Sequence, residues 1–462
     1  MMPIPFPFEF MVLFGILATM LLIGVLLRAR FSFFQNFLIP SCLIGGLLGL
    51  ILVNTGLINL SVSSLETFAY HFFNLSFISV GLTKSDSHGK NSIREKGFIR
   101  GPLWMALSQT VCFSLQAILG GLIVIILGQF GMKLFSTFGF LAPLGFEEGP
   151  GQALAFGKVW EGNGFENAAT IGITFATIGF FFAFFIGIPL VNWGIRKGLS
   201  TNTPRELPRD FLTGILPRNQ ETASAGKLTL HTANIDTLAF QAACIGLIYL
   251  LTYILVRSLG QFFLADVASM LWGFFFFFGL MIAFSVRWLM GKLNVDHLLD
   301  PGIQRRVTGF SIDFLIVSTI MAIKFSVVWK YILPISLISI SCGILTTVMM
   351  ISLGKRLWAY QLERTAVVFG TVTGTVTCGL LLLRVADPDF QTPAVIEIAL
   401  ATAIMLLPLV PLLVLVNATV WWSWNLGTTI ILFLGAMLLA LGLLKVLKLW
   451  QSPNPSSDEV MR

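Results

Sequence analysis

Charge is what this 462-residue chain has least of. Asp, Glu, Lys and Arg make up 11% of it, against about 25% in an average soluble domain. So few charges cannot cover a water-facing surface, which excludes a soluble enzyme, a nucleic-acid-binding domain and a disordered chain. Histidine is also scarce. The four (His71, His88, His231, His297) share no ligand spacing, so neither a metal centre nor a haem has support. The five cysteines (Cys42, Cys112, Cys244, Cys342, Cys378) are scattered through apolar runs without a CxxC pair and read as packing residues. No HExxH or GxSxG constellation is found, so the chain reads as a non-enzyme with no organic cofactor.

What is abundant is apolar. The hydrophobic set reaches 56%, with 43 phenylalanines and 43 glycines. This composition points to an all-α polytopic membrane protein whose first partner is the lipid bilayer. At roughly 20 residues per crossing, the length admits about ten to twelve spans. Apolar runs place them near 9–27, 38–57, 65–82, 102–128, 166–195, 237–257, 266–290, 310–328, 332–353, 392–416 and 426–449. The first has no basic region ahead of it and is expected to be a retained helix rather than a signal peptide. Two further stretches, 135–160 and 366–385, are apolar but too rich in glycine for ordinary spans.

The formal charge of +7 comes from basic residues clustered in a few loops. With the N-terminus outside and the C-terminus in the cytoplasm, nearly all Lys and Arg fall inside, as the positive-inside rule expects. Only Lys133, Lys158, Arg257, Lys324 and Lys330 do not. That asymmetry holds only when both broken stretches return to the side they came from, so they read as re-entrant hairpins. Trp421, Trp422 and Trp424 then fall at the outer interface, and Phe274 to Phe278 read as lipid-facing bulk.

The polar, proline-bearing stretch near 197–236 divides the chain into halves of similar size. FENAATIGITFAT, from Phe165, and FQTPAVIEIALAT, from Phe390, match at one constant offset: Phe165/Phe390, Ala169/Ala394, Ile171/Ile396, Ile173/Ile398, Ala176/Ala401 and Thr177/Thr402. Both copies follow a broken stretch. Five spans per half make the second copy enter from the opposite face. The expected organisation is two inverted five-helix repeats, each with a re-entrant hairpin. They cover 1–196, with an outer-side hairpin, and 237–417, with an inner-side hairpin. The 197–236 linker joins them, and an extra transmembrane helix (418–450) and a polar tail (451–462) follow. Such repeats place a solute site at their interface near the bilayer midplane.

Broken backbone at membrane depth leaves amides and carbonyls for a polar solute, helix N-termini favouring anions and freed carbonyls favouring cations. In the first hairpin, APLGFEEGPGQ sets Glu147 and Glu148 before Gly149, Pro150 and Gly151, with Gln152 after them. In the second, GTVTGTVTCG carries Thr371, Thr373, Thr375 and Thr377 around Gly374. If extended, it sets four hydroxyls on one side; if helical, it scatters them. The expected solute-binding set is Glu148, Gly149, Gly151, Gln152, Asn167, Thr371, Thr373, Gly374 and Thr375. The expected cation set is Glu147, Asn74, Asp313, Thr377 and Glu397. Glu397, within a span, is too costly to face lipid; it is a cation ligand or a structural partner.

These residues resemble a known group. IPSCLIGGLLGL after the first span, GFENAATIGITFATIG after the first hairpin, and the second hairpin before the tenth span are similar to the bacterial sodium/glutamate symporter family over about 1–417. The resemblance implies two inverted five-helix repeats, sodium-driven glutamate uptake across the bacterial cell membrane, Na⁺ as coupling ion, and a homodimer with a moving transport domain. It carries the first hairpin's role onto Glu147 through Gln152, with Asn167 heading the next helix, and the second's onto Gly370 through Gly379. The chain departs from the family where typical members have GGHGT-like residues and this one has EEGPGQ, and in its threonine-rich second hairpin. The expected solute is therefore a small anionic or zwitterionic molecule, glutamate or a related carboxylate, with another organic anion or amino acid as the alternative. An ion channel also uses glycine–threonine stretches, but two opposed hairpins in one chain suit alternating access.

Overall fold

A computed structural model describes residues 6–83, 99–201, 209–218, 224–262, 268, 271–388 and 391–450. The basic loop from Lys84 to Lys96, Phe390 of the sequence match and the polar tail lie outside them. Every regular element among the described residues is helical.

The first half runs α1 (Glu9–Arg30), α2 (Ser41–Asn54), α3 (Val62–Leu82), α4 (Arg100–Gln129), the pair α5 (Leu141–Phe146) and α6 (Pro150–Gly162), then α7 (Ala168–Phe181) and α8 (Gly187–Arg196). A π-turn at Phe182–Ile186 joins the last two into one rod. The second half runs α9 (Thr237–Gly260), α10 (Phe275–Lys292), α11 (Pro301–Met321), α12 (Ile332–Gly354), the pair α13 (Gln361–Thr373) and α14 (Val376–Ala386), and α15 (Ala394–Trp421). It ends with α16 (Leu426–Val446). Among the described residues, eight helices are long and apolar enough to cross a bilayer: α1, α4, the α7–α8 rod, α9, α10, α12, α15 and α16.

Departures from the expected spans have local causes. A span was expected at 310–328, but α11 starts at Pro301. Asp300 caps it by accepting a hydrogen bond from the Ile303 amide (2.7 Å), and proline suits the first helical position. Hydropathy missed this turn because it carries Gln304, Arg305 and Arg306. The lipid-facing assignment of the phenylalanine run also fails for three of its five rings. Phe274, Phe275 and Phe276 are buried. Phe274 sets its ring edge-on to Phe156 at 5.2 Å, Phe275 packs on Tyr249 at 4.9 Å, and Phe276 packs on Phe73 at 5.3 Å.

The helices form two groups. In the first, α3 packs on α10 and α11, and α2 packs on α1 and α11. Small residues allow the closest of these approaches: Gly24 meets the Ser41 carbonyl and Gly45 the Met20 carbonyl, so α1 and α2 touch backbone to backbone. In the second group, α4 is flanked by α12, α15 and α16. The two interrupted pairs and the α7–α8 rod sit among these helices.

Candidate functional site

The α5–α6 segment is broken because its sequence allows nothing else. Gly149 has φ +85°, a left-handed conformation that glycine adopts without strain, and Pro150 then starts α6 with no amide to lose. The α13–α14 segment breaks at Gly374, whose backbone is neither helical nor extended, and at Thr375, which is extended.

Each segment turns back on itself. At one end of the first, Phe135 stacks on Phe165 with centroids 4.8 Å apart, so the chain leaves where it entered. Its arms lie along the α7 half of the rod, with Gly145 against Ala176 and Gly157 against Ala169. At the open end of the second, the Ser200 hydroxyl donates to the Ala386 carbonyl (3.1 Å) and reaches the Glu363 carboxylate (3.4 Å). Its arms lie along the α8 half, with Gly187 against Phe369 and Leu382 and Gly194 against Leu362. The two hairpins thus enter from opposite ends of one helical rod.

Their tips meet beside Gly179, near the middle of that rod. A Cβ on Gly179 would lie 2.6 Å from the Thr373 carbonyl and 3.2 Å from Phe146 Cα. A Cβ on Gly149 would lie 2.9 Å from Thr375 Cγ2 and 3.5 Å from the Gly374 carbonyl. On another side Gln116 of α4 donates to the Val372 carbonyl at 3.0 Å and to Thr346 of α12 at 3.1 Å. Four helix ends converge there. The N-termini of α6 and α14 are electropositive, and the C-termini of α5 and α13 are electronegative.

A family model described as sodium/glutamate symporter matches residues 8–380. The chain belongs to that family. No curated protein matches it. The match covers most of the chain and stops within α14, so α15 and α16 lie beyond it. The symporter is thus a transporter-type membrane protein whose family acts on a small molecule with Na⁺ as coupling ion.

At the symporter's tips the structure brings together Glu147, Glu148, Gly149, Gly374 and Thr375. Glu147 is buried, and both its carboxylate oxygens lack a hydrogen-bond partner; so do both polar atoms of the buried Gln152. Gly151, one residue before, lies hard against the Phe73 ring of α3. Asn74 beside Phe73 donates to the Tyr70 carbonyl at 2.9 Å, and its own oxygen is unpartnered.

Other expected residues are placed elsewhere. Asn167 starts α7 at the base of the first hairpin. Thr371 and Thr373 are helical, and their hydroxyls donate to the Val367 and Phe369 carbonyls (2.8 and 2.7 Å), as threonine does inside helices. The threonines are therefore scattered rather than lined up. Glu397 sits at the base of the second hairpin, where Arg364 grips both oxygens at 2.6 and 2.7 Å. Asp313 and Thr377 meet across a small cavity between α11 and α14, away from Glu147.

Sequence reasoning missed three features. Gly179 lies in an apolar run with no signal beyond its small size. Arg364 was counted as a loop charge, yet it is buried. Lys158 stood out only as one of the few basic residues not on the inner side, but it bridges Glu66 of α3 (2.6 Å) and Glu161 (2.8 Å). That network borders an open cavity of about 540 Å³ lined also by Ser63, Thr67, Tyr70 and Trp272.

Proposed function

We propose that the protein is a sodium-coupled symporter taking up glutamate or a related small carboxylate by alternating access, with its solute held where the hairpin tips meet. The junction of the tips at Gly179 carries this reading. A solute there reaches the first amides of α6 and α14 with its carboxylate. The carbonyl ends of α5 and α13, with Glu147 and Glu148, take positive charge. Gly149, Gly151 and Gln152 line one tip and Gly374 and Thr375 the other.

The two helix groups supply the moving parts. The tips, the rod, α4, α12 and α15 form one body that slides against the frame of α1–α3 and α9–α11. The distribution of basic residues supports an outer base for the first hairpin and an inner base for the second, and with them a reading of the halves as inverted repeats. Cation coupling is needed because a monoanion entering an inside-negative cell opposes about 2.3 kcal/mol per 100 mV. Two Na⁺ per monoanion turn that cost into a net drive.

Within this reading, Glu147 and Glu148 favour a solute that carries an ammonium group over a plain dicarboxylate. Two carboxylates at the tips, one with both oxygens unpartnered, complement an amino acid's charged nitrogen. In proteoliposomes an inward Na⁺ gradient is expected to drive labelled L-glutamate uptake. Glutamine or aspartate should compete better than succinate, and Gln152→Ala should lower uptake at least tenfold. Uptake indifferent to the gradient contradicts the symport reading.

A further inference from the structure

Unpaired positive charge gathers at one membrane edge, where α4 begins and α12 and α16 end. Arg100 opens α4, Lys355 and Arg356 follow α12, Lys445 lies in the last turn of α16, and Lys448 lies just beyond it. Two arginines tie these ends together. Arg100 donates to the Lys448 carbonyl at 2.7 Å and lies over the Trp358 ring at 4.4 Å. Arg356 lies over the Trp450 ring at 4.5 Å. The end of α16 is itself fixed. The Leu449 amide donates to the Leu444 carbonyl (2.9 Å), Leu449 is buried, and Lys448 takes the left-handed position that glycine usually fills.

No carboxylate answers this charge. Among the described residues, none of Lys355, Arg356, Lys445 and Lys448 forms an ion pair, and the Arg356 guanidinium has no hydrogen-bond acceptor. Two acids at the same end are already engaged. Glu397 is held by Arg364, and Glu363 accepts from the Thr201 amide at 2.7 Å. A guanidinium stacked on tryptophan with its donors free is a ready partner for a phosphate, whose oxygens its planar fork matches.

We infer that this edge binds the phosphate headgroup of an anionic phospholipid, held by Arg356, Lys445 and Lys448 between Trp358 and Trp450. The inference goes beyond the transport reading and does not depend on it. Position decides the source of the phosphate. The cluster stands at the ends of three spans, on the face that the basic residues mark as inner, so the phosphate within reach is that of the membrane. Tryptophan settles at headgroup level, and basic groups beside cytoplasmic span ends attract anionic lipid. Lys445, Lys448 and Trp450 fall beyond the stretch that the family model matches, so the added helix α16 supplies part of the site. Its Phe433 packs on Phe113 of α4 and on Phe140 beside the first hairpin. A lipid bound here fastens the end of α16 to the turn between α12 and α13.

The test is a thermal-stability titration of the purified full-length protein in detergent with phosphatidylglycerol, phosphatidylcholine or inorganic phosphate. The wild type should be stabilised by phosphatidylglycerol well beyond the other two. Lys445→Gln with Lys448→Gln, both at exposed positions, should raise the phosphatidylglycerol concentration for half-maximal stabilisation at least tenfold, each basic residue contributing about fivefold. Arg356→Gln should raise it about fivefold. Lys292→Gln with Arg306→Gln removes the same charge from the end of α10 and the start of α11, and should leave the titration unchanged. Site variants that overlay the wild type overturn the site. So does an equal loss in the Lys292 and Arg306 pair, which marks a general attraction of anionic lipid to basic loops. Equal stabilisation by phosphatidylcholine removes the charge recognition, and equal stabilisation by inorganic phosphate overturns the lipid assignment.

Discussion

The two hairpins are built alike at their tips and differently at their bases. The first is tied to its surroundings by Lys158, which is 44% exposed and bridges the buried Glu66 of the frame and the half-buried Glu161 of its own arm. The second is tied by Arg364 and Glu397, each 4% exposed and joined by two parallel hydrogen bonds. Arg364 also packs against the rings of Trp358 and Tyr360, and Gly101 of α4 closes on the carboxylate. Exposed pairs contribute about 0–1 kcal/mol, whereas removing one partner of a buried pair costs about 3–5 kcal/mol. The difference teaches which contacts can be exchanged. The Lys158 bridge crosses from hairpin to frame beside a water-accessible cavity, so in the proposed transport cycle it is the contact that breaks and re-forms. The Arg364 bridge ties the second hairpin to α15, and in the proposed cycle it stays closed.

The largest expected effect breaks that lock. Arg364→Ala should destabilise the protein by about 3–5 kcal/mol, read as a lowered melting temperature in detergent. The pair Arg364→Met with Glu397→Leu should recover much of the loss, because no buried charge is left alone. A melting temperature unchanged by Arg364→Ala would remove the claim that this base is fixed.

Gly179→Leu comes next. Its side chain must displace the Thr373 carbonyl or Phe146, so overpacking should cost about 1–3 kcal/mol and force the tips apart. Uptake should fall at least tenfold while the variant still inserts and elutes as the wild type does. Full uptake by this variant would show that the tips need not meet there.

The smallest stability effect is expected at Lys158. Lys158→Met combined with Glu66→Gln, which leaves no buried carboxylate alone, should change stability by about 1 kcal/mol or less yet alter the rate of uptake, which the matched loss at Arg364 would mask by unfolding. A stability loss as large as that of Arg364→Ala would erase the contrast between the two bases.

Much of this arrangement was legible in the chain. Gly149 with Pro150 and the Gly374 region announce the breaks, since each supplies backbone that a continuous helix cannot. The composition announces the membrane. What stayed hidden depends on contacts between distant residues. Glu397 reads equally as ligand or partner until Arg364, on the other side of the second hairpin, is found against it. Asp313 and Thr377 each look like a lone polar group until α11 and α14 are seen to share a cavity. The start of α11 was missed because its first turns carry polar side chains, and hydropathy marks helices that face lipid better than helices packed inside protein. The buried phenylalanines erred the other way: the run from Phe274 looks like lipid-facing bulk, but three of its rings fill the gaps between α3, α9 and the first hairpin.

The most direct test of the central claim is an experimental density map of the protein in a lipid bilayer. It should show two interrupted segments entering from opposite faces, with Gly149 and Thr375 in contact beside Gly179. A continuous helix through either segment, or tips separated by more than one helix diameter, about 10 Å, would contradict it.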